Sequence, residues 1–414
     1  MARLVQKSAW RRRMNMRWVR WAFWRRVFEL IPLQARWSFP MTSVAAIMTA
    51  DKILDDRVQF ENATFDPAYH GDVLRRAERN DKMIGRADPP RSALFRRQVA
   101  IVPDCAVLGH VGAVVGADGA LLALHEREIP NWNRARPRRL TTRMFQHGMA
   151  TWLEGTQHYF HFFASLLPLI GYLEREHRPD KPLTVLVPAN GPRFQRQVCA
   201  AVESAYRGVR FEGLEADERA EVKSYLWLYH GSENAEWLPV GAESGAAFAD
   251  LLRHHYGLNE PRGGELLFVS QSLPKRQRLS NQSELEEIAA ERGFQSFEAH
   301  PDNHEEQVRR FGEAEIIIAA HGASLTNLLF ARPGATVLEL FPEDCVKSSY
   351  LWLATRMGLN YRALLGEPGH SKQAFSIAPQ RFAAGLQDAM GARELIASPW
   401  SAILAIAAET SARA

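Results

Sequence analysis

Residues 315–342 read EIIIAAHGASLTNLLFARPGATVLELFP. Ile316, Ile317 and Ile318 form a short β-branched run, the pattern of a strand buried on both faces of a parallel sheet. Ala319 and Ala320 end it and His321-Gly322 follow. Ser324 to Phe330 then suits a helix with Leu325, Leu328 and Leu329 on one face. Pro333-Gly334 breaks the helix, and Val337, Leu338 and Leu340 make the next strand. In open parallel α/β sheets, ligands bind in such loops, beyond the carboxyl ends of the strands. Gly322 and Ala323 let a ligand approach the backbone, and the helix N–H groups suit an anion such as a phosphate. His321 stands at the mouth with a ring that can donate a hydrogen bond.

Outward from this unit the alternation continues. Leu266 to Val269 reads as a strand, Ser270 to Ser280 as a polar basic loop, and Asn281 to Arg292 as a helix. Phe294 to Phe297 is a strand and Asn303 to Gly312 a helix, which completes a parallel-sheet pattern. Ser348 to Met357 and most of Pro379 to Thr410 are helical in pattern. On the other side, Gly257 to Gly264 (GLNEPRGG) is the best linker between domains. Before it come a helix over 241–256, a strand over Tyr225 to Tyr229, a helix over 192–205 and a strand over 183–188. Val114-Val115 and Leu121-Leu122 flank Asp118-Gly119, a hairpin signal. Arg134 to Arg143 (RARPRRLTTR) reads as a solvated basic loop, with contact to an anionic substrate as the alternative.

HGAS alone is an ordinary strand–helix turn with a packed histidine. The flanks carry more. HGASLTNLLFARPGATVLELFP, preceded by VSQSLPKRQRLSNQSELEEIAAERGF, resembles the signature of glycosyltransferase family 61. That family has an HGAGLTN-LLF-PPG-VLEL core and an upstream Arg-x-x-Asn segment, matched here by Arg278 and Asn281. The similarity runs from Gly264 to Pro342. A second stretch, HYFHFFASLLPLIGYLERE from His158 to Glu176, reads as a helix burying aromatic and leucine side chains. On its own, His161 is a satisfied core histidine. The stretch nevertheless resembles the family's Asn-Tyr-x-His-Trp/Phe-Leu-x-Asp-x-Leu-Pro-Arg helix through Tyr159, His161, Leu167 and Pro168. His158 replaces the Asn, Ser165 the Asp and Leu169 the Arg, and Gln271 stands where the family commonly has Arg.

The resemblance implies an α/β, GT-B-like fold of two Rossmann-like domains with a cleft between them, of the capsular polysaccharide biosynthesis type. The expected division is a basic arm over 1–40, an acceptor-side domain over 41–256 and a linker over 257–264. A nucleotide-sugar-binding domain over 265–378 and a helical segment over 379–414 follow. The implied activity moves a sugar from a nucleotide-sugar donor to a glycan or lipid-linked glycan acceptor, with inversion. Stabilising the departing diphosphate falls to Arg278, with Arg276 or Lys275 beside it and Asn281 as its partner. Gly322, Ala323, Ser324, Asn327 and Glu339 are expected on the donor, Asn327 alternatively tying its loop and Glu339 alternatively pairing with an Arg. His321 and His161 are the catalytic candidates, His161 as acceptor-side base; His158, Tyr159 and Ser165 lie on that side. Ser165 cannot act as a base in place of the Asp. No Asp-x-Asp triplet follows a strand, so metal-independent transfer without a cofactor is expected.

Composition sets the remaining bounds. The 414 residues are 46% hydrophobic, enough for two cores. The net charge of +4 is uneven: residues 1–40 carry +9, leaving −5 for the rest. The body is therefore mildly acidic, and no nucleic-acid partner is expected. Trp10, Met14, Trp18, Trp21, Trp24 and Phe28 fall at helical spacing among arginines. An anionic membrane surface suits such a helix; a disordered or domain-packed arm is the alternative. Cys105, Cys199 and Cys345 are few and far apart, which fits a reducing compartment. With no long apolar run or signal core, the expected location is cytoplasmic, peripheral on the inner face of the plasma membrane. Two rivals remain: a catalytically degenerate member that binds sugar nucleotide or scaffolds glycan assembly, and a serine hydrolase using Ser324. The latter lacks the second glycine of G-x-S-x-G.

Overall fold

The computed structural model describes residues 41–43, 53–59, 92–109, 112–117, 121–123, 140–151, 158–176, 178–232, 242–271, 278–347, 349–369 and 374–396. The basic arm over 1–40 lies outside them.

The first half opens with strands β1 (Met41–Ser43), β2 (Ile53–Gln59), β3 (Ser92–Leu108), β4 (Ala113–Val115), β5 (Leu121–Ala123) and β6 (Thr141–Ala150). It continues through α1 (Tyr159–Arg175), β7 (Leu183–Pro188), α2 (Arg193–Ala205), β8 (Val209–Leu214), β9 (Glu218–Ser232) and α3 (Ala242–His255). These strands form one sheet in the order β1-β5-β4-β3-β9-β6-β7-β8, with β2 beside β3. Strands β9, β6, β7 and β8 run parallel, and α1 and α2 are the crossovers between β6, β7 and β8. The long strand β3 is antiparallel to β9, β2 and β4. This half is therefore mixed rather than Rossmann-like throughout, because antiparallel neighbours such as β3, β4 and β5 need only short turns and no crossover helix. The hairpin signal corresponds to β4 and β5, where Val114 pairs with Leu122. At the end of the basic stretch, Arg143 lies in β6 and not in a loop. Its guanidinium bonds Glu212 at 2.9 Å, Glu218 at 3.5 Å and the Gly213 carbonyl at 2.7 Å, which commits it to the scaffold.

The second half comprises β10 (Glu265–Ser270), α4 (Gln282–Ala290), β11 (Gln295–Glu298), α5 (His304–Glu313) and β12 (Ala314–Ala320). A 3-10 helix (Ala323–Phe330), β13 (Thr336–Pro342), α6 (Ser349–Arg356), β14 (Asn360–Pro368), β15 (Phe375–Ser376) and α7 (Pro379–Ile396) complete it. The sheet order is β11-β10-β12-β13-β14-β15, parallel except for the last pair. Order reverses between β10 and β12, and such a switch point opens a crevice at the strands' carboxyl ends. Ile316, Ile317 and Ile318 are fully buried, as a strand covered on both faces requires.

The segment from Ser324 to Phe330 is a 3-10 helix rather than an α-helix. Leu325 to Phe330 are all buried, so tertiary packing holds this turn. The two halves share one hydrophobic core along this side. Phe162, Phe163 and Leu166 of α1, Phe248 of α3, and Leu325, Leu329 and Phe330 of the 3-10 helix all belong to it. Helix α1 is buried nearly all round, and that packing carries it through Pro168, which cannot donate a helix hydrogen bond.

Candidate active site

The loops after β10 and β12 meet at the switch point. The backbone of His321 extends the β12–β13 ladder, its N–H donating to Leu340 O at 2.9 Å. Its carbonyl accepts from Arg278 Nη1 at 3.1 Å. Gln271 braces the two loops. Its Oε1 accepts from the Arg278 backbone N–H at 3.2 Å, and its own N–H donates to Gln282 Oε1 at 3.1 Å. A Cβ added at Gly322 would stand 3.1 Å from Gln271 Nε2. Gly322 is extended, so the close approach of the Gln271 amide, and not an unusual φ, explains the glycine.

Behind His321 lies a buried acid. Glu339, in the middle of β13, is 0% exposed, and its register neighbours are the small residues Ala319 and Ala363. Its Oε1 is 2.6 Å from His321 Nδ1, and its Oε2 accepts from the Tyr361 hydroxyl at 2.5 Å. Burial pushes the Glu339 carboxyl above the usual carboxylate range, while His321 and Tyr361 pull it back. Burying a carboxylate costs several kcal/mol unless it is fully paired, and here both oxygens are paired. Glu339 is thus engaged by His321 and Tyr361 rather than by an Arg. The His321 ring is stacked on Phe341 at 4.9 Å and tilted against Tyr350 at 5.4 Å. With Glu339 ionised, Nδ1–H donates to it and Nε2 faces away from the pair. Among the described residues Nε2 makes no hydrogen bond, and Arg278 makes no ion pair.

The other expected donor-side residues divide. Ala323 is exposed and Ser324 half-buried at the start of the 3-10 helix. Leu325 N–H is spent on the Gly322 carbonyl at 3.0 Å. Asn327 is fully buried and ties its loop: Oδ1 accepts from the Tyr159 hydroxyl at 2.5 Å, and Nδ2 donates to Gln307 Oε1 and Ser324 O. Asn281 is likewise engaged elsewhere. Its amide bonds Ile377 in both directions and donates to Glu284, which anchors α4 to the segment after β15. Lys275 and Arg276 lie outside the described residues.

Helix α1 brings the acceptor-side candidates to the same end. Phe160 packs edge-on to Tyr350 at 5.7 Å and to His161 at 5.4 Å. A chain of rings therefore leads from His321 through Tyr350 and Phe160 to His161. His158 is exposed just before the helix, with its ring 6.2 Å from His161. The Ser165 hydroxyl donates to Phe162 O at 2.8 Å. Tyr159 is half-buried against Phe163, Phe194 and His304, with its hydroxyl on Asn327 of the 3-10 helix. Among the described residues no three His, Cys, Asp or Glu side chains are grouped to hold a metal ion.

Tyr361, Tyr350, Gln307 and His304 complete this architecture without a signal in the sequence. Only Glu339, a lone acid inside an apolar strand, gave a hint of its own.

Comparison with known proteins agrees with the motifs. The model of the family Glycosyltransferase 61 matches residues 159–338, which run from α1 into β13. That stretch holds nearly all of both motifs read in the sequence. A beta-1,2-xylosyltransferase from Arabidopsis thaliana is 36% identical over 59 residues, covering 14% of this chain and 11% of that protein. The similarity thus spans about a tenth of that relative's length.

Proposed function

We propose that the chain is a glycosyltransferase whose nucleotide-sugar donor binds at the β10–β12 switch point. The observation that carries this reading is the convergence there of Arg278 and the His321–Glu339 pair, at the stretch that the Glycosyltransferase 61 model matches. In transfer, the bond between the anomeric carbon and the diphosphate oxygen breaks, and its electron pair leaves with the nucleotide. Arg278 meets that charge with fixed N–H donors, and the ring of His321, once protonated beside Glu339, donates from Nε2. The acceptor hydroxyl attacks from the α1 side with inversion and gives its proton to His161. The hydroxyl of Ser165 has no basicity for that task and is bonded to the helix carbonyl.

In this reading the two sheets are the halves of a GT-B enzyme, divided near residues 257–264, and protein cations make a metal unnecessary. The acceptor is a glycan, free or lipid-linked, of the capsular or surface-polysaccharide kind. The arm over 1–40 would hold the enzyme to the inner face of an anionic membrane. The test is incubation with a panel of nucleotide-sugars, a xylosyl donor among them, following release of nucleoside diphosphate. One donor class should turn over, and Arg278→Ala and His321→Ala should abolish it. No turnover by folded protein with any donor would favour a sugar-nucleotide-binding protein without catalysis.

A further inference from the structure

Glu339 raises a question that its pairing with His321 does not answer. A carboxylate and an imidazole 2.6 Å apart can hold an added proton in two ways. The ring can take it and become a cation beside an anion. Alternatively the carboxyl can take it and donate to Nδ1, leaving both groups neutral. Burial favours the neutral form, because Glu339 is 0% exposed and His321 only 9%, which takes most water from both charges. Only a cationic ring serves a departing diphosphate well.

Among the described residues, one further hydrogen-bond donor opposes neutralisation. Tyr361, on the neighbouring strand β14, points its hydroxyl at the second carboxylate oxygen at 2.5 Å. The groups facing the ring from other elements do not duplicate this. Tyr350 approaches from α6, Phe341 stacks on one face, and Arg278 bonds the His321 carbonyl rather than Glu339. We propose that Tyr361 is a positioning residue that keeps Glu339 ionised, so that a proton taken up by the pair lies on the His321 ring. The inference rests on the proposed role of His321, but the test below does not require turnover.

The test is nuclear magnetic resonance of protein carrying nitrogen-15 histidine, titrated from about pH 5 to about pH 9. His321→Gln identifies the ring's signals by their loss. In the unaltered protein the acid form should show both ring nitrogens protonated. In Tyr361→Phe the proton should move toward Glu339 and the pair's midpoint should rise by about 0.3 pH unit or more, since only the neutral-carboxyl form escapes the loss of the hydrogen bond. Nδ1 should then show partial loss of its proton in the acid form. Glu339→Gln removes the anion and should move the ring's midpoint the other way. A purely structural tyrosine would leave midpoint and Nδ1 signal unchanged in a folded Tyr361→Phe protein, and that result overturns the proposal. So does an unprotonated Nδ1 in the acid form of the unaltered protein, which needs no variant to fold. Absence of glycosyl transfer with the predicted titrations would sink the proposed function and leave this inference standing.

Discussion

The hydroxyl of Tyr159 lies 2.5 Å from Oδ1 of Asn327 and joins the two halves of the chain at their shared core. Tyr159 opens the helix that carries His161, and Asn327 belongs to the turn that follows His321. Tyr159→Phe removes one donor and leaves a buried amide oxygen bare. The expected cost is about 1–3 kcal/mol of stability, measurable by urea unfolding. Asn327→Leu should cost more than Tyr159→Phe, because it also strands Gln307 and the Ser324 carbonyl.

His304 is a source of acid sensitivity. It sits among the rings of Tyr159, Phe163, Phe194, Tyr256 and Phe330, with Nδ1 2.7 Å from the Tyr256 hydroxyl. Among the described residues its Nε2 has no partner. Burial, with His255 nearby as a lesser cause, holds its pKa down to about 3. The unfolded chain therefore binds a proton here that the folded chain refuses. Stability from this residue is full above the ordinary histidine pKa, about 6.5, and is lost as pH falls toward about 3. The loss should approach about 1.4 kcal/mol per pH unit within that window. His304→Phe should flatten the unfolding free energy against pH by that amount; parallel curves would contradict the assignment.

Two glycines should behave differently. A Cβ at Gly366 would stand 2.4 Å from Ser376 O, 2.7 Å from Phe375 Cδ2 and 2.8 Å from Ile377 Cγ1. Gly366→Ala should cost about 1–3 kcal/mol of stability, read by thermal unfolding. In Gly322→Ala the close contact is the end of the Gln271 side chain at 3.1 Å, with Ala320 O at an ordinary 3.7 Å. The substitution should cost less than about 1 kcal/mol of stability but weaken nucleotide binding about tenfold by displacing the brace on Arg278.

The second sheet was legible because its cues are local. An isoleucine run, Pro333-Gly334 and the flanking helices fix a parallel unit, and the expected strand over Leu266 to Val269 lies within β10. The first sheet was less legible. Strands β3 and β9 are 17 and 15 residues long and pair across more than a hundred positions, which periodicity does not report. The motifs put Arg278 and His321 on two loops, and the structure brings the two residues into contact. Motif spacing was silent on Tyr361, because a tyrosine one strand away has no fixed offset from the histidine it supports. It also gave Asn281 to the donor, although that amide is tied to Ile377, because spacing shows which loop a residue occupies and not where its side chain points.

The most direct test of the donor site is calorimetric titration of the protein with UDP, GDP and CMP, repeated on Arg278→Ala and His321→Ala. Binding of one nucleotide, weakened at least about tenfold in both variants, is the predicted result. Folded protein that binds none of the three, or variants that bind as well as the parent, would contradict a donor site at the β10–β12 switch point.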